Sequence, residues 1–252
     1  MAAEHDPNGV LDDGPSISEH PPVVATAVRP GYRRRGILVG IAMFVAAVVA
    51  GLVFANGRAD HSTATDRSAV EALPAKPPGQ NETINMYIKD AGITSESVNP
   101  GDPGAPTVVV ALPNGWSDLG ENTPEWAYGA VQLDTAADVN DPPTIVVLLS
   151  KLTGDVDPAK ILEYAPGELR NLAQYEPAGE PITDKLSGFD AIQLAGLYER
   201  DGKMRTIAQK TVVIPVKDAV YVLQMNADAL KFDTAALMQA TDVIDKQTKI
   251  TP

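Results

Sequence analysis

Residues 189–226, FDAIQLAGLYERDGKMRTIAQKTVVIPVKDAVYVLQMN, decide the fold class of this chain. The stretch holds three runs rich in β-branched and apolar residues, at about 189–198, 204–214 and 219–226. Asp201-Gly202 between the first two runs is a tight-hairpin signal, and Lys217-Asp218 turns the chain again. Because successive hairpins pair neighbouring strands antiparallel, we predict a mainly antiparallel sheet built around this meander.

Helical periodicity appears on both sides of the meander. A helix is predicted from Thr83, which can cap it, to Gly92, which suits its end. Asp157 followed by Pro158 starts a second helix. Within it, Pro166-Gly167 predicts a kink or a division into two short helices, because Pro166 cannot donate a backbone hydrogen bond. The last helix starts at Asp233, and its buried side is predicted to consist of Leu237, Ala240 and Ile244.

Further strands are predicted upstream. Residues 107–112 form a β-branched run, and residues 126–133 alternate, which places Trp126, Tyr128 and Ala130 on one face. Residues 144–152 are apolar at successive positions, so we place them centrally in a sheet that is covered on both sides. The predicted fold class is therefore α+β, a mainly antiparallel sheet with helices packed on both faces.

The segment before this domain indicates a membrane anchor. Residues 36–55, GILVGIAMFVAAVVAGLVFA, form an uncharged apolar run of 20 residues, about 30 Å long as a helix and sufficient to span a bilayer. Four arginines precede the run and only Arg58 closely follows it, which predicts a cytoplasmic N-terminus and an outer C-terminal domain. A cleavable signal peptide is the alternative. The predicted organisation is a disordered tail 1–35, a transmembrane helix 36–55, a flexible linker 56–82 and a domain 83–252.

Composition excludes several classes of chemistry. The net charge of −13 disfavours nucleic acid as a partner. The chain has no cysteine, and its three histidines lie at positions 5, 20 and 61, in the tail or linker. The predicted domain therefore cannot build a Ser-His-Asp or Cys-His device or a histidine or cysteine zinc site. We expect no enzyme activity, no cofactor and no metal, and the alternative of a hydrolase with paired carboxylates has no specific sequence support.

Large amphipathic rings are the remaining candidates for a binding site. We predict that Trp116, Tyr128, Tyr164 and Tyr198 line a groove between helix and sheet for an acyl chain or glycolipid, because such aromatic-lined clefts are common ligand sites. The Pro166-Gly167 interruption would help to open that groove.

Several long segments carry a family resemblance. They are DPGAPTVVVALPNGW (102–116), PPTIVVLLSKLTGDVDPAKILEYAPGELRNL (142–172), RTIAQKTVVIP (205–215), YVLQMNADA (221–229) and MQATDVIDKQTKITP (238–252). In these segments the chain resembles the LpqN-type lipoprotein family of mycobacteria. The resemblance implies a Mog1/PsbP-like α+β fold, export to the mycobacterial envelope and an accessory role in handling glycolipids of the trehalose–mycolate type. It carries over no catalytic motif.

One departure from the family concerns the anchor. Lipoproteins of this kind carry a cysteine that closes a lipobox, whereas here Val53-Phe54-Ala55 is followed by Asn56. The helix 36–55 is then expected to anchor the domain. We therefore expect a membrane-anchored, extracytoplasmic binding or accessory protein whose partners are the membrane, an envelope glycolipid and a membrane transport complex. The alternative is a protein–protein scaffold of an envelope complex without a small-molecule ligand.

Overall fold

The computed structural model describes residues 79–252, in which three α-helices accompany one large sheet and a smaller two-stranded one. The predicted tail 1–35, the predicted span 36–55 and nearly all of the linker 56–82 lie outside the described residues. Between residues 79 and 252 no helix has both the length and the hydropathy to cross a membrane. The helices are α1 (Ile84–Asp90), α2 (Pro158–Arg170) and α3 (Thr234–Gln247). The strands are β1 (Thr94–Ser97), β2 (Thr107–Val109), β3 (Trp116–Asp118), β4 (Gly129–Leu133), β5 (Thr144–Thr153), β6 (Glu176–Pro177), β7 (Ile182–Leu186), β8 (Phe189–Arg200), β9 (Lys203–Val216), β10 (Ala219–Leu230) and β11 (Lys249–Thr251).

The main sheet is antiparallel throughout the pairs that the structure describes. Its order is β3-β4-β5-β10-β9-β8-β6, and β1 pairs with β5 while β7 pairs with β8. The predicted meander is confirmed as β8, β9 and β10, each longer than its sequence pattern suggested. Asp201 and Gly202 join β8 to β9 with φ values of 52° and 73°, as a two-residue hairpin of type I′ requires.

Strand β5 lies inside the sheet and is buried on both faces, as its sequence predicted. Val147 and Leu149 belong to the core cluster that includes α3, whereas Val146 and Leu148 pack with Leu119 and other residues on the opposite face. This two-sided burial explains why the strand reads as a continuous apolar run instead of an alternating one.

Helices pack on both faces of the sheet, and their caps follow the sequence. Thr83 accepts the Met86 N–H at the start of α1, and Asp157 accepts the Ala159 N–H at the start of α2. Ile161 of α2 packs on one sheet face and Leu237 of α3 packs on the other. Each of these contacts removes a large aliphatic side chain from water, which stabilises the fold by about 1.5–3 kcal/mol per side chain.

Of the two alternatives predicted at Pro166-Gly167, a kink or two short helices, the division into two helices is wrong. α2 continues from Pro158 to Arg170 with Pro166 inside it. Ile161, Ala165 and Leu169 are all fully buried on its inner side. The free energy gained by packing these side chains exceeds the cost of the backbone hydrogen bond that is missing at Pro166, so the helix continues.

Two predicted strands are shorter than their sequence patterns. Strand β2 ends at Val109 and pairs with β11 in a separate two-stranded sheet. The alternation of residues 126–133 becomes a strand only from Gly129, because the preceding residues form a turn. As a result Tyr128 and Ala130 lie in different core clusters, not on one face as predicted.

Candidate functional site

A groove lies between α3 and the sheet. Its floor is a row of three alanines on adjacent strands that ends at an isoleucine on the fourth, because Ala195 pairs with Ala208, Ala208 with Ala227, and Ala227 with Ile145. Three alanines in one row leave space beneath the helix that larger side chains would fill. The groove therefore follows directly from the register of β8, β9, β10 and β5.

The walls of the groove come from α3 and from the edge of the sheet. Met238 and Ile244 of α3 line one side, while Ile182 at the start of β7 and residues 178–180 before it line the other. Ile182 is 57% exposed and Met238 is 40% exposed, so two large apolar side chains border an open mouth. The cavity volume is about 240 Å³. That is more than the ~150 Å³ of a benzene-sized apolar cavity and less than the ~300 Å³ at which drug-sized pockets begin.

One end of the groove is polar. Lys210 of β9 is only 5% exposed, and its ammonium lies 2.8 Å from a carboxylate oxygen of Asp184 and 3.0 Å from one of Asp245. Burial raises the pKa of Asp245, and the hydrogen bond and positive charge of Lys210 act in the opposite direction. Such a buried cation requires paired carboxylates, so the three residues form one charge-compensated unit at the groove wall.

The four aromatic residues predicted to share a groove do not come together. Trp116 and Tyr128 are buried in the cluster that contains α3. Tyr164 is a partly buried residue of α2 that faces α1, and Tyr198 is buried beneath the end of α2. Tyr128 lines a small cavity of about 30 Å³, and the large groove includes none of the four. Their roles as ligand contacts stay predictions.

Three of these aromatic residues make hydrogen bonds or ring contacts that stabilise the fold. The Tyr128 hydroxyl accepts the backbone N–H of Val108, which joins β2 to the main sheet. The Tyr164 ring lies 5.8 Å from that of Tyr87, so this pair ties α2 to α1. The Tyr198 hydroxyl donates to Asp228 at 2.6 Å. Burial and the neighbouring Asp228 carboxylate raise the pKa of Tyr198, since both disfavour the phenolate.

A buried ionic network surrounds Tyr198. The Arg205 guanidinium donates to both oxygens of Asp141 and also contacts Asp228. Partial burial acts to raise the pKa of Asp141, but the hydrogen bond and charge of Arg205 outweigh it and hold that pKa below its ordinary value. The network fastens the polar loop between β4 and β5 to β9 and β10, which is a structural role.

The segment that enters the domain lies directly on α2. Asn81 and Asn171 exchange hydrogen bonds of 2.8 and 2.9 Å through backbone and side-chain groups. A Cβ at Gly167 would lie 1.7 Å from the carbonyl oxygen of Glu82, so only glycine allows this crossing. The Glu168 carboxylate accepts the backbone N–H groups of Ile84 and Asn85, and burial raises its pKa to about 7.

The groove residues were not among the predicted site residues. Their signal in the sequence is faint: Ala195, Ala208 and Ala227 are poor strand formers inside otherwise strong strands. Only the register shows that they lie side by side. Within residues 79–252 no group of three or more histidine, cysteine, aspartate or glutamate side chains is arranged to hold a metal ion.

The fold and the groove define an α+β domain with an open, partly apolar groove under α3. The family model described as "Probable lipoprotein LpqN" matches residues 80–251, so the chain belongs to the LpqN lipoprotein family of the cell envelope. It is 53% identical over 174 residues to lipoprotein LpqN of Mycobacterium tuberculosis, covering 69% of this chain and 76% of that protein.

One solved structure agrees with this family membership. The crystal structure of LpqN "involved in cell envelope biogenesis of Mycobacterium tuberculosis" matches with a TM-score of 0.66 at 53% identity, over 69% of this chain and all of that one. The Ran-binding protein Mog1p of Saccharomyces cerevisiae matches with a TM-score of 0.39 at 13% identity, over 62% and 95% of the two chains. The second score is too low to carry an argument.

Proposed function

We propose that this chain is a non-enzymatic binding protein of the mycobacterial cell envelope that takes part of the apolar chain of a glycolipid into the groove beneath α3. The observation that carries the proposal is the groove itself, with its alanine floor and its two exposed apolar side chains at the mouth. The resemblance of the chain to the LpqN-type family, which implies a role in handling glycolipids of the trehalose–mycolate type, gives the ligand class. The role of the M. tuberculosis relative in envelope biogenesis, as its structure is described, is consistent with that class.

The size of the groove limits what it holds. A cavity of about 240 Å³ admits one apolar group of short-chain size and not a whole long-chain lipid. The rest of such a ligand would extend through the open mouth past Ile182 and Met238. The proposed activity is therefore partial capture and presentation of a lipid, as suits an accessory protein that passes its ligand to a membrane transport complex.

Anchoring by residues 36–55 completes the proposal. The N-terminus would lie in the cytoplasm and the domain on the outer side of the membrane, with the part of the predicted linker that precedes Asn81 as the tether. A C-terminal reporter that fluoresces only in the cytosol should stay dark when fused to the full chain. Fluorescence of that fusion would contradict the proposed topology.

Binding is tested with the domain alone. The solved LpqN chain is matched over its whole length by 69% of this chain, so the equivalent of residues 79–252 folds by itself in that relative. Calorimetric titration with dodecyl maltoside below its micelle concentration should give saturable binding of one molecule per domain. Ala208→Leu, which fills the floor, should abolish that binding, while Ala219→Leu on the same sheet but outside the groove should not.

Two outcomes would contradict the proposal. They are equal dodecyl maltoside binding by both variants, and no binding by the unchanged domain. Comparison of their unfolding midpoints shows whether lost binding reflects lost folding. In addition, native mass spectrometry of the domain purified from its own host should reveal a copurifying lipid that Ala208→Leu removes.

A protein–protein scaffold remains the second candidate function, and one observation favours it. Phe232 is 65% exposed and Val139 is 80% exposed, and neither lines the groove. Contiguous exposed apolar side chains commonly mark protein interfaces, and the two loops that carry these residues lie close enough for the Asp141 and Asp233 carboxyl groups to interact. If the scaffold role is correct, replacing both residues with serine should release a partner protein from the full-length chain in a pull-down, while dodecyl maltoside binding should be absent or unaffected.

A further inference from the structure

Four polar side chains form a compact polar block in the middle of the main sheet. They are Gln209 and Thr211 of β9 and Gln224 and Asn226 of β10, and each is at most 3% exposed. The register places Gln209 opposite Asn226 and Thr211 opposite Gln224. Directly opposite Cβ atoms lie ~5 Å apart and those two positions along a strand ~7 Å apart, so the four side chains surround one small area.

The polar block faces α1 and α2. Gln209 lies between Ala208 and Lys210, which face the groove beneath α3, so its side chain points to the opposite face of the sheet. On that face, Val213 packs with residues of α1 and α2, and Ile207 packs beneath the end of α2. The β9 residues of the polar block occupy the two positions between them, so the block lies under the helices.

The polar block also interrupts the apolar core. On the face that α1 and α2 cover, the buried apolar residues form three separate clusters around the block. Val213 and Ile207 belong to two of them, and Leu148 of β5, which pairs with Gln224, belongs to the third. On the α3 face, a single cluster extends across β5, β8, β9 and β10. Something other than apolar packing must therefore satisfy the four polar side chains.

Each side chain of the polar block has a buried atom without a hydrogen-bond partner among the residues that the structure describes. These atoms are Gln209 Oε1, Thr211 Oγ1, Gln224 Oε1 and Asn226 Nδ2. Gln209 Nε2 donates to Asn226 Oδ1 at 2.8 Å. Turning both amides over would reverse this bond and again leave one oxygen and one N–H group unpaired, so the shortage does not depend on amide orientation. Because buried polar groups are nearly always hydrogen-bonded, the four atoms require a common partner.

Water matches these four atoms. The two glutamine oxygens accept hydrogen bonds, the Asn226 amide donates, and the Thr211 hydroxyl can do either. One water molecule at the centre of the polar block could donate to both oxygens and accept from the other two groups. A metal cation is a poorer match, because one amide presents an N–H group in either orientation and the block contains no carboxylate to balance the charge.

We propose that the polar block is an internal hydration site, in which Gln209, Thr211, Gln224 and Asn226 bind at least one long-lived water molecule between the sheet and the helices α1 and α2. The site is separate from the groove beneath α3, and its existence does not depend on the function proposed above. The bound water joins β9 to β10 through side chains as well as through the backbone ladder. It also allows polar residues to remain at the centre of an otherwise apolar layer.

Magnetic relaxation dispersion of water deuterons counts long-lived internal water molecules in the domain of residues 79–252. We expect at least one in the unchanged domain. The count should fall by at least one in the fourfold variant Gln209→Met, Thr211→Val, Gln224→Met, Asn226→Leu, whose side chains have similar size and no hydrogen-bonding groups that need water. Thr206→Val is the control, because it removes a buried β9 hydroxyl that already bonds to Thr234, and it should leave the count unchanged.

A second measurement uses only the unchanged domain, so it stands even if the fourfold variant fails to fold. Water–protein NMR cross-peaks should link a long-lived water molecule to the side-chain NH₂ group of Asn226. Absence of these cross-peaks, or an equal water count in the unchanged domain and a folded fourfold variant, would overturn the proposal. Stabilisation by sodium or potassium ions, relative to tetramethylammonium at equal ionic strength and lost in the fourfold variant, would show that the block binds a cation and would equally overturn it.

Discussion

Replacing Glu168 with glutamine should make the domain more stable, by an amount that increases between pH 4.5 and about 7 and is constant above that. In the folded domain this carboxyl accepts two N–H groups at the start of α1, and burial raises its pKa from the ordinary 4.5 to about 7. The folded state thus holds the proton more tightly than the unfolded chain does. The stability contributed by this group is fully present below pH 4.5 and is lost as the pH rises through about 7.

The magnitude follows from the size of the shift. A change of ~2.5 pKa units corresponds to about 3 kcal/mol between the two protonation states. Glutamine keeps an oxygen that accepts the same N–H groups and never ionises. We therefore expect Glu168→Gln to raise the free energy of unfolding by about 1–3 kcal/mol at pH 8.5, and to change it little at pH 5.

Urea unfolding of residues 79–252 at pH 5, 7 and 8.5 measures this difference. Glu163→Gln is the matched control, since it removes the same charge from an exposed position of the same helix. Relative to the unchanged domain, the control should gain no free energy of unfolding at pH 5, 7 or 8.5. If the stability difference between Glu168→Gln and the unchanged domain were the same at all three pH values, the buried carboxyl would not ionise as described and the reasoning would be refuted.

Three further predictions concern stability. Gly167→Ala should lower the free energy of unfolding by about 1–3 kcal/mol in urea denaturation, because the clash with the crossing carbonyl exceeds the ~1 kcal/mol helix-propensity gain; Gly129→Ala, with no heavy atom within 4 Å, should cause no loss. Tyr198→Phe removes the donor to Asp228 and should cost about 1.5–3 kcal/mol by the same measurement, with unchanged dodecyl maltoside binding. Leu237→Ala empties a fully buried position and should cost about 2–5 kcal/mol; a loss below 1 kcal/mol would show that α3 is not packed as described.

Local chemistry made much of the fold predictable. Thr83, Asp157 and Asp201-Gly202 act through caps and a turn within a few residues of themselves, so their sequence signals were sufficient. Pro166 shows where local sequence signals are insufficient. Whether the helix continues through it depends on the packing of α2 on strands that are distant in the sequence. The short strands β6 and β11 have no periodicity to read, because they are only 2 and 3 residues long.

The candidate site was less predictable than the fold. Large aromatic rings attract attention in a sequence, yet Trp116, Tyr128 and Tyr198 are buried in the core. The groove arises instead because three neighbouring positions of the sheet carry alanine, whose small side chain leaves space. Their adjacency depends on the register of four strands, and register is fixed by the whole pattern of pairing and not by any short motif.

The pairing of β2 with β11 also affects when the domain can complete its fold. Next to that pair, the N–H of Ala111 donates to the side chain of Thr248, 137 residues later in the chain. At ~5–20 residues per second, a ribosome needs roughly 7–27 s to make the intervening segment. During that interval β2 has no β11 to pair with. Its free backbone hydrogen-bonding groups can then pair with the wrong strand until β11 has been made.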